Sequence, residues 1–533
     1  MTVDDLVLSI QRVVDALVRR LRRGPAPPPS ESRLVIVQID GLSASVLDLA
    51  LAAGYAPFLR RLLAGDAYRR APMAVGLPSS TPAFQMAAMY GVRPDIPGFH
   101  FYDRERRTDV HFPRPGHAAT VEARQAAGRR GILAGGSAYG CVFTGGADNN
   151  LFSFASLTRP TGRGVLCALS PFVIAAWVVL KGLGQTAVEL LRAVLGLVAD
   201  PVEAGRGWRW TAIKIGLSVW VRQFFTLAVS RDLYAGVPAV YVNYVDYDVA
   251  AHLFGPRSRR ALRALSRVDA AIRQIWRVRR RVPEHGYAFY VLSDHGQAEC
   301  RPAEDFTGGR RFERWIFEEM IDPSPAAAPT ARSGLMAGIR GRRHGAAGLF
   351  QHFLNYLDEE FFRGDADAYE RDGVRVISAG PNAFLYVLDG AAALDVEAVE
   401  RRLPGLATEL SRSRGVGFVL ARGPGGPICF WRGKRYELRE GEPGPFAGRA
   451  DAGLVVQGFA DLMAMPSAGD LVIYGIDAPG GHVSFIPEAG AHAGPSPEEL
   501  YTFLISAAHD VPPSPITHPI QLYAHFMRCR EPA

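Results

Sequence analysis

The stretch YVDYDVAAHLFGP, residues 244–256, ends an apolar run in two acids and sets a histidine four residues after the second. Residues 238–245 are rich in β-branched and aromatic side chains, the composition of a buried strand. Asp246 and Asp248 therefore stand just past a strand end. An i, i+4 spacing sets Asp248 and His252 on one face of a helix, where both can reach one ligand. The same spacing is common on any helix surface, so the pair gains meaning only from partners elsewhere.

Working outward, Leu34–Ile39 reads as another buried strand, with Asp40-Gly41-Leu42 as its exit turn. Residues 287–293 and 470–476 read as further strands, and helical patterns lie between them. Strands alternating with helices imply an α/β fold: a large, mostly parallel central sheet with helices on both faces. We assign residues 33–533 to one catalytic domain. Within it, residues 370–440 form a small αβ elaboration: 374–388, a helix near 396–412, then 416–438. There is no internal repeat.

In a parallel sheet, ligands gather just beyond the carboxyl ends of the strands. Asp40 follows the first strand, Asp248 and His252 follow the run 238–245, and Asp294 and His295 follow 287–293. His492 lies after the last strand region. Each alone reads as a capping acid or a satisfied core histidine. At four strand ends in one chain, the six make a carboxylate–imidazole set suited to two zinc-like ions. Two such ions clamp the attacking and leaving oxygens of a phosphoryl transfer. That chemistry wants a nucleophile. Leu77-Pro78-Ser79-Ser80-Thr81-Pro82 places hydroxyls in a loop before a helix that starts near Ala83. A helix N-terminus offers N–H groups to a phosphate. A plain Ser/Thr cap is the structural alternative for this loop.

The 533 residues exceed what one small core needs. The net charge is +7, mostly through scattered arginines, apart from Arg19-Arg20-Leu21-Arg22-Arg23 and Arg277-Val278-Arg279-Arg280-Arg281. A basic stripe with interleaved aromatics is missing, so binding to a nucleic-acid duplex is not expected. Attraction to a membrane surface fits the charge. The five cysteines are far apart and form no CxxC pair, which points to a reducing compartment.

These motifs resemble the alkaline phosphatase superfamily, nearest to its type I phosphodiesterase/nucleotide pyrophosphatase branch. The matching pieces keep the family's order from about residue 33 to about 500. They are Ile39-Asp40-Gly41; Pro78-Ser79-Ser80-Thr81-Pro82, with Gly91 ten residues after Thr81; the run Asp248 to Pro256; Leu292-Ser293-Asp294-His295-Gly296; and Ala491-His492-Ala493-Gly494. The resemblance implies that Asp40, Thr81, Asp294 and His295 hold one divalent metal, and Asp248, His252 and His492 a second. Zinc is the implied metal and manganese the alternative. It also implies that Thr81 attacks phosphorus and becomes a phosphothreonine that water then hydrolyses; Ser80 is the competing nucleophile. Asn149 or Asn150 is a candidate donor to a non-bridging oxygen, and Asn150 is taken as the substrate-binding residue.

The implied activity is a two-metal phosphodiesterase or phosphatase acting on a phosphate ester, lipid-linked or of nucleotide type. A sulfatase-like enzyme or a phospho-group transferase of the same superfamily is the alternative. Ser80-Thr81-Pro82-Ala83-Phe84 lacks the arginine of a sulfatase motif. A non-catalytic membrane-bound scaffold is a third reading. Two departures from the family pattern stand out: Ala251 precedes His252 and Ala493 follows His492, where the branch favours glycine. His482 is an alternative last ligand.

Residues 1–23 carry apolar side chains at helical spacing and end in four arginines, the pattern of an amphipathic interfacial helix. Residues 24–32, with four prolines, read as a linker. The segment 164–230 reads as a hydrophobic insertion. It opens with 17 uncharged residues interrupted by Pro171 and continues through Trp208, Trp210 and Trp220 among Arg209, Lys214 and Arg222. A spanning helix needs about 20 apolar residues. Site residues flank the segment on both sides, so it crosses a bilayer twice or not at all. Charge at bilayer depth is costly, which favours a segment lying in the interface. With no signal-peptide pattern, we expect the cytoplasmic side of the cell membrane, with a soluble cytoplasmic protein as second choice.

Overall fold

In a computed structural model, residues 33–112, 114, 116–151, 179–187, 190–191, 215–321, 368–390 and 392–530 are described. The proposed N-terminal helix, the linker and all but the last two residues of the insertion's uncharged run lie outside them.

Seven strands make the main sheet: β1 (Leu34–Ile39), β2 (Tyr68–Ala74), β3 (Ser137–Tyr139), β4 (Asn149–Leu151), β5 (Ala239–Tyr244), β6 (Ala288–Leu292) and β7 (Tyr501–Ala507). Their order is β2-β7-β6-β1-β5-β3-β4. From β6 to β4 every pairing is parallel; β7 runs antiparallel between β6 and β2. β1, β5 and β6 are buried on both faces and are apolar apart from Gln38 and Asn243. β2 exposes Arg69, Arg70 and Pro72, as suits an edge strand.

Apolar side chains fill both faces. Val35, Val37, Val240, Val242 and Val291 pack on one side, and Ile36, Tyr241, Tyr290 and Leu292 on the other. This is the expected α/β layering around a mostly parallel sheet.

A second seven-stranded sheet is antiparallel. It holds the strands of the small elaboration, from Ala368–Arg371 to Lys434–Glu437, and a central strand Leu471–Tyr474. The sequence assigned residues 470–476 to the main sheet; the structure moves this strand to the second. The elaboration thus draws on chain beyond 440.

The end of the presumed insertion is also reassigned. Arg222–Ala235 is a helix whose Phe225, Leu227, Val229 and Leu233 are buried in the main core. Thr226 Oγ1 meets Tyr244 Oη on β5 at 2.8 Å. Residues 222–230 therefore belong to the α/β body. Among the described residues, no helix is long and apolar enough to cross a membrane.

Candidate active site

Register explains why distant residues meet. β1 pairs with β5 through Ile39↔Tyr244 and with β6 through Gln38↔Leu292. One step further, the chain reaches Asp40, the turn into Asp248 and the loop Ser293-Asp294-His295. Parallel neighbours end on the same edge, so three strand ends deliver their acids to one place. Gly41 takes φ +74°, and a Cβ there would collide with Asp248 Oδ1. Only glycine permits this turn and this approach.

Helix α1 (Thr81–Tyr90) begins at the site, with Thr81 as its first residue and Gly91 in left-handed conformation as its C-cap. Thr81 is 6% exposed. Its Oγ1 lies 3.0 Å from His295 Nε2 and donates to Asp40 Oδ1 at 3.3 Å. Ser80 Oγ is buried and makes no hydrogen bond. Thr81, and not Ser80, is the hydroxyl joined to the acids and histidines.

Helix α2 (Asp246–Phe254) carries Asp248 and His252 one turn apart, with His252 Nε2 3.4 Å from Asp248 Oδ2. His492 arrives by a short antiparallel ladder, Gly490–Ala491 against Ala298–Glu299. Its ring stacks on His295 at 3.7 Å between centroids and lies 5.0 Å from that of His252.

Two donor groups result that could hold metal ions: Asp248, His252 and His492, and Asp40, Asp248 and His295. Asp248 borders both. Asp294 joins the second group, with Oδ2 3.5 Å from His295 Nε2, and Gly41 N donates to its Oδ1 at 3.4 Å.

The donor set fits metal ions on three observations. The three histidines each turn Nδ1 to a main-chain carbonyl: His252 to Gly490 at 2.8 Å, His295 to Gly296 at 3.1 Å and His492 to Ser79 at 3.0 Å. That arrangement puts the proton on Nδ1 and leaves Nε2 as a donor facing the site. Asp294 Oδ2 is fully buried without a hydrogen bond. Finally, three buried carboxylates crowd together. Burial, then the charge of Asp248, raises Asp40 above the usual range. Burial, then the charge of Asp40, pushes Asp294 up to about 8. Such a cluster is short of positive charge.

Four supporting residues were given no role by the sequence, and only Ser79 among them lies in a quoted motif. Glu488 Oε2 accepts from His252 Nδ1 at 2.7 Å. Asn243 donates to Asp40 Oδ2 at 2.6 Å. Gln297 donates to the Asp248 main-chain carbonyl at 3.2 Å. Ser79 Oγ accepts from Ala493 N at 3.1 Å and donates to Gly494 O at 2.9 Å, fixing the His492 loop. A polar residue inside the apolar run of β5 was the available signal for Asn243; a single acid in a loop offered none for Glu488.

Seven of the eight assigned residues meet here: Asp40, Thr81, Asp248, His252, Asp294, His295 and His492. Asn150 is not among the residues brought together. It sits on β4, and its Nδ2 donates to Ala147 O at 2.6 Å. His482 is also elsewhere, with Nδ1 accepting from Asp477 N at 3.1 Å.

Residues 209–360 match the family model described as type I phosphodiesterase / nucleotide pyrophosphatase. The matched stretch includes Asp248, His252, Asp294 and His295. None of the curated proteins matches the chain. Two crystal structures of phosphonoacetate hydrolase from Sinorhizobium meliloti 1021 are similar to it, one in complex with phosphonoformate and one with phosphonoacetate. Each is 16% identical and aligns over 95% of this chain and 98% of the other, with a TM-score of 0.43. The family match spans four of the seven converging residues, so over residues 209–360 the chain is similar to the type I phosphodiesterase / nucleotide pyrophosphatase family.

Proposed function

We propose that the protein hydrolyses a phosphate ester through a phosphothreonine formed on Thr81. The observation that carries this is the place of Thr81 Oγ1, at the start of α1 and within 3.0–3.3 Å of His295 and Asp40. Asp40, Thr81, Asp294 and His295 would hold one divalent ion and Asp248, His252 and His492 another, with zinc favoured by the donor set and manganese the alternative. Bound there, the ions supply the positive charge that eases loss of the hydroxyl proton and neutralises phosphoryl oxygens.

The N-terminus of α1 orients the phosphoryl group toward its own N–H groups. Thr81 Oγ1 forms a bond to phosphorus as the ester oxygen leaves from the opposite side and takes a proton. Water then attacks phosphorus, the bond to Oγ1 breaks, and the hydroxyl regains its proton. Asn243 holds the orientation of Asp40; Glu488 and Gly490 hold that of His252.

We place this activity at the cytoplasmic face of a membrane, on a lipid-linked phosphate diester, with a nucleotide-type diester as the alternative. Val179, Leu180, Leu183, Leu190 and Leu191 are exposed. Lys181, Arg222, Arg267, Arg273 and Arg277 line a nearby cavity. Apolar side chains beside cations suit an anionic lipid surface. Cys141, Cys300, Cys429 and Cys529 are free thiols, in keeping with a reducing compartment.

The test compares a chromogenic phosphodiester with the matching monoester, with added zinc or manganese and with chelator. Chelator-sensitive turnover supports the reading, and the diester/monoester ratio names the dominant activity. No turnover of either by protein with bound metal favours the scaffold reading. Flotation with anionic vesicles tests the membrane site; protein that stays unbound at low salt contradicts it.

A further inference from the structure

A second group of metal-type donors lies at the opposite edge of the main sheet. β7 runs antiparallel to β6, so its end is remote from the strand ends that carry Asp40 and Asp294. Asp510 closes the short turn after β7. His525 lies on helix α3 (Ile520–Arg528) and Cys529 is its C-cap, four residues on. That spacing puts the imidazole and the thiol on one face, and the face meets Asp510.

Asp510 Oδ1 lies 3.6 Å from His525 Nε2 and 3.9 Å from Cys529 Sγ. The three donor atoms all lie within 4.8 Å of one another. Bonds of about 2.0–2.3 Å in tetrahedral zinc give ligand-to-ligand edges of roughly 3.3–3.8 Å. His525 is 5% exposed, and its Nε2 is buried without a hydrogen bond. Leaving a buried ring nitrogen in that state is costly unless something binds it. Tyr290 frames the cluster: its hydroxyl donates to Asp510 Oδ2 and lies 2.9 Å from Cys529 Sγ. Arg528, an exposed side chain, faces it with Nη2 3.4 Å from His525 Nδ1, a contact that is given up when Nδ1 carries the proton.

We propose that Asp510, His525 and Cys529 form a metal site of the zinc class, separate from the active site, that ties α3 to the end of β7. A thiolate with an imidazole and a carboxylate selects zinc or cobalt over magnesium or calcium, which prefer oxygen donors. On binding, the Cys529 thiol gives its proton to solvent and His525 keeps one on Nδ1. The fourth position is left to water.

The tie bears on the nucleophile helix. Tyr523, on α3, packs against Gly91, the C-cap of α1, where any Cβ would collide with its ring. Thr81 is at the other end of that helix.

The test is cobalt(II) reconstitution of the metal-free full chain. None of the active-site ligands is a cysteine, so thiolate-to-cobalt charge-transfer absorption reports on this cluster. The wild type should show the band and bind one more metal equivalent than Cys529→Ser. The band should vanish in Cys529→Ser and weaken in His525→Gln. Wild-type protein that takes up cobalt at the active site and shows no thiolate band overturns the proposal, as does a band that survives Cys529→Ser. The wild-type spectrum decides even if a variant fails to fold.

Discussion

Thr81 Oγ1 and His295 Nε2 lie 3.0 Å apart, although 214 residues separate them in the chain. The contact joins the start of α1 to the loop after β6 and singles out one hydroxyl in a loop that offers three. Thr81→Ala should therefore lower kcat by about a thousandfold or more, the scale on which loss of an activated nucleophile acts. Ser80→Ala should leave turnover within a few-fold of wild type. Steady-state kinetics of both variants on one diester makes the comparison.

Glu488 acts through His252. Removing a carboxylate that orients a ligand histidine typically weakens metal binding by about 10–100-fold. Glu488→Ala should do so while leaving the fold intact, because Gly490 O still accepts from the ring. Titration with a metal-buffered indicator checks the affinity; an unchanged value removes Glu488 from the site.

Ala493 takes φ +111°, a conformation that favours glycine, and it stands where the related family has glycine. A side chain held there costs of order 1–3 kcal/mol. Ala493→Gly should stabilise the protein by about 1 kcal/mol, since glycine's greater freedom in the unfolded chain offsets part of the relief. Thermal unfolding of the metal-free protein gives the comparison without the contribution of bound ions.

Glu313, on a short helix packed against the second sheet, is buried, and burial pushes its carboxyl up to about 7 from an ordinary 4.5 despite the Ser378 hydroxyl nearby. Folding therefore takes up a proton between these values, and stability falls as pH rises through that window. Glu313→Gln should match wild type near pH 4 and exceed it near pH 8 by on the order of 1–3 kcal/mol. Chemical denaturation at both pH values tests this; a difference that does not change with pH contradicts it.

The sequence exposed what strand ends expose. β1, β5 and β6 are short, mostly apolar runs, and each stops just before an acid, so the parallel core and five of the seven converging residues could be read locally; His492 rested on the Ala491–Gly494 motif. Placing Thr81 rather than Ser80 rested on its spacing to Gly91. The strand Leu471–Tyr474 was legible as a strand but not as a member of the second sheet, because LVIY would suit either and its partners lie some 50–90 residues away. Arg222 to Ser230 reads with the insertion because it continues from Trp208, Trp210 and Trp220 among cations; packing against Tyr244 on β5 decided otherwise. Glu488 and Gln297 act through loop contacts that no periodicity marks.

The central claim is the phosphothreonine. The most direct measurement is rapid acid quench of metal-loaded protein with a phosphodiester substrate, followed by peptide mass spectrometry. The account predicts a single phosphorylated peptide containing Thr81, formed during turnover and absent from Thr81→Ala. Turnover with no modified peptide, or with the phosphoryl group on Ser80, would contradict it.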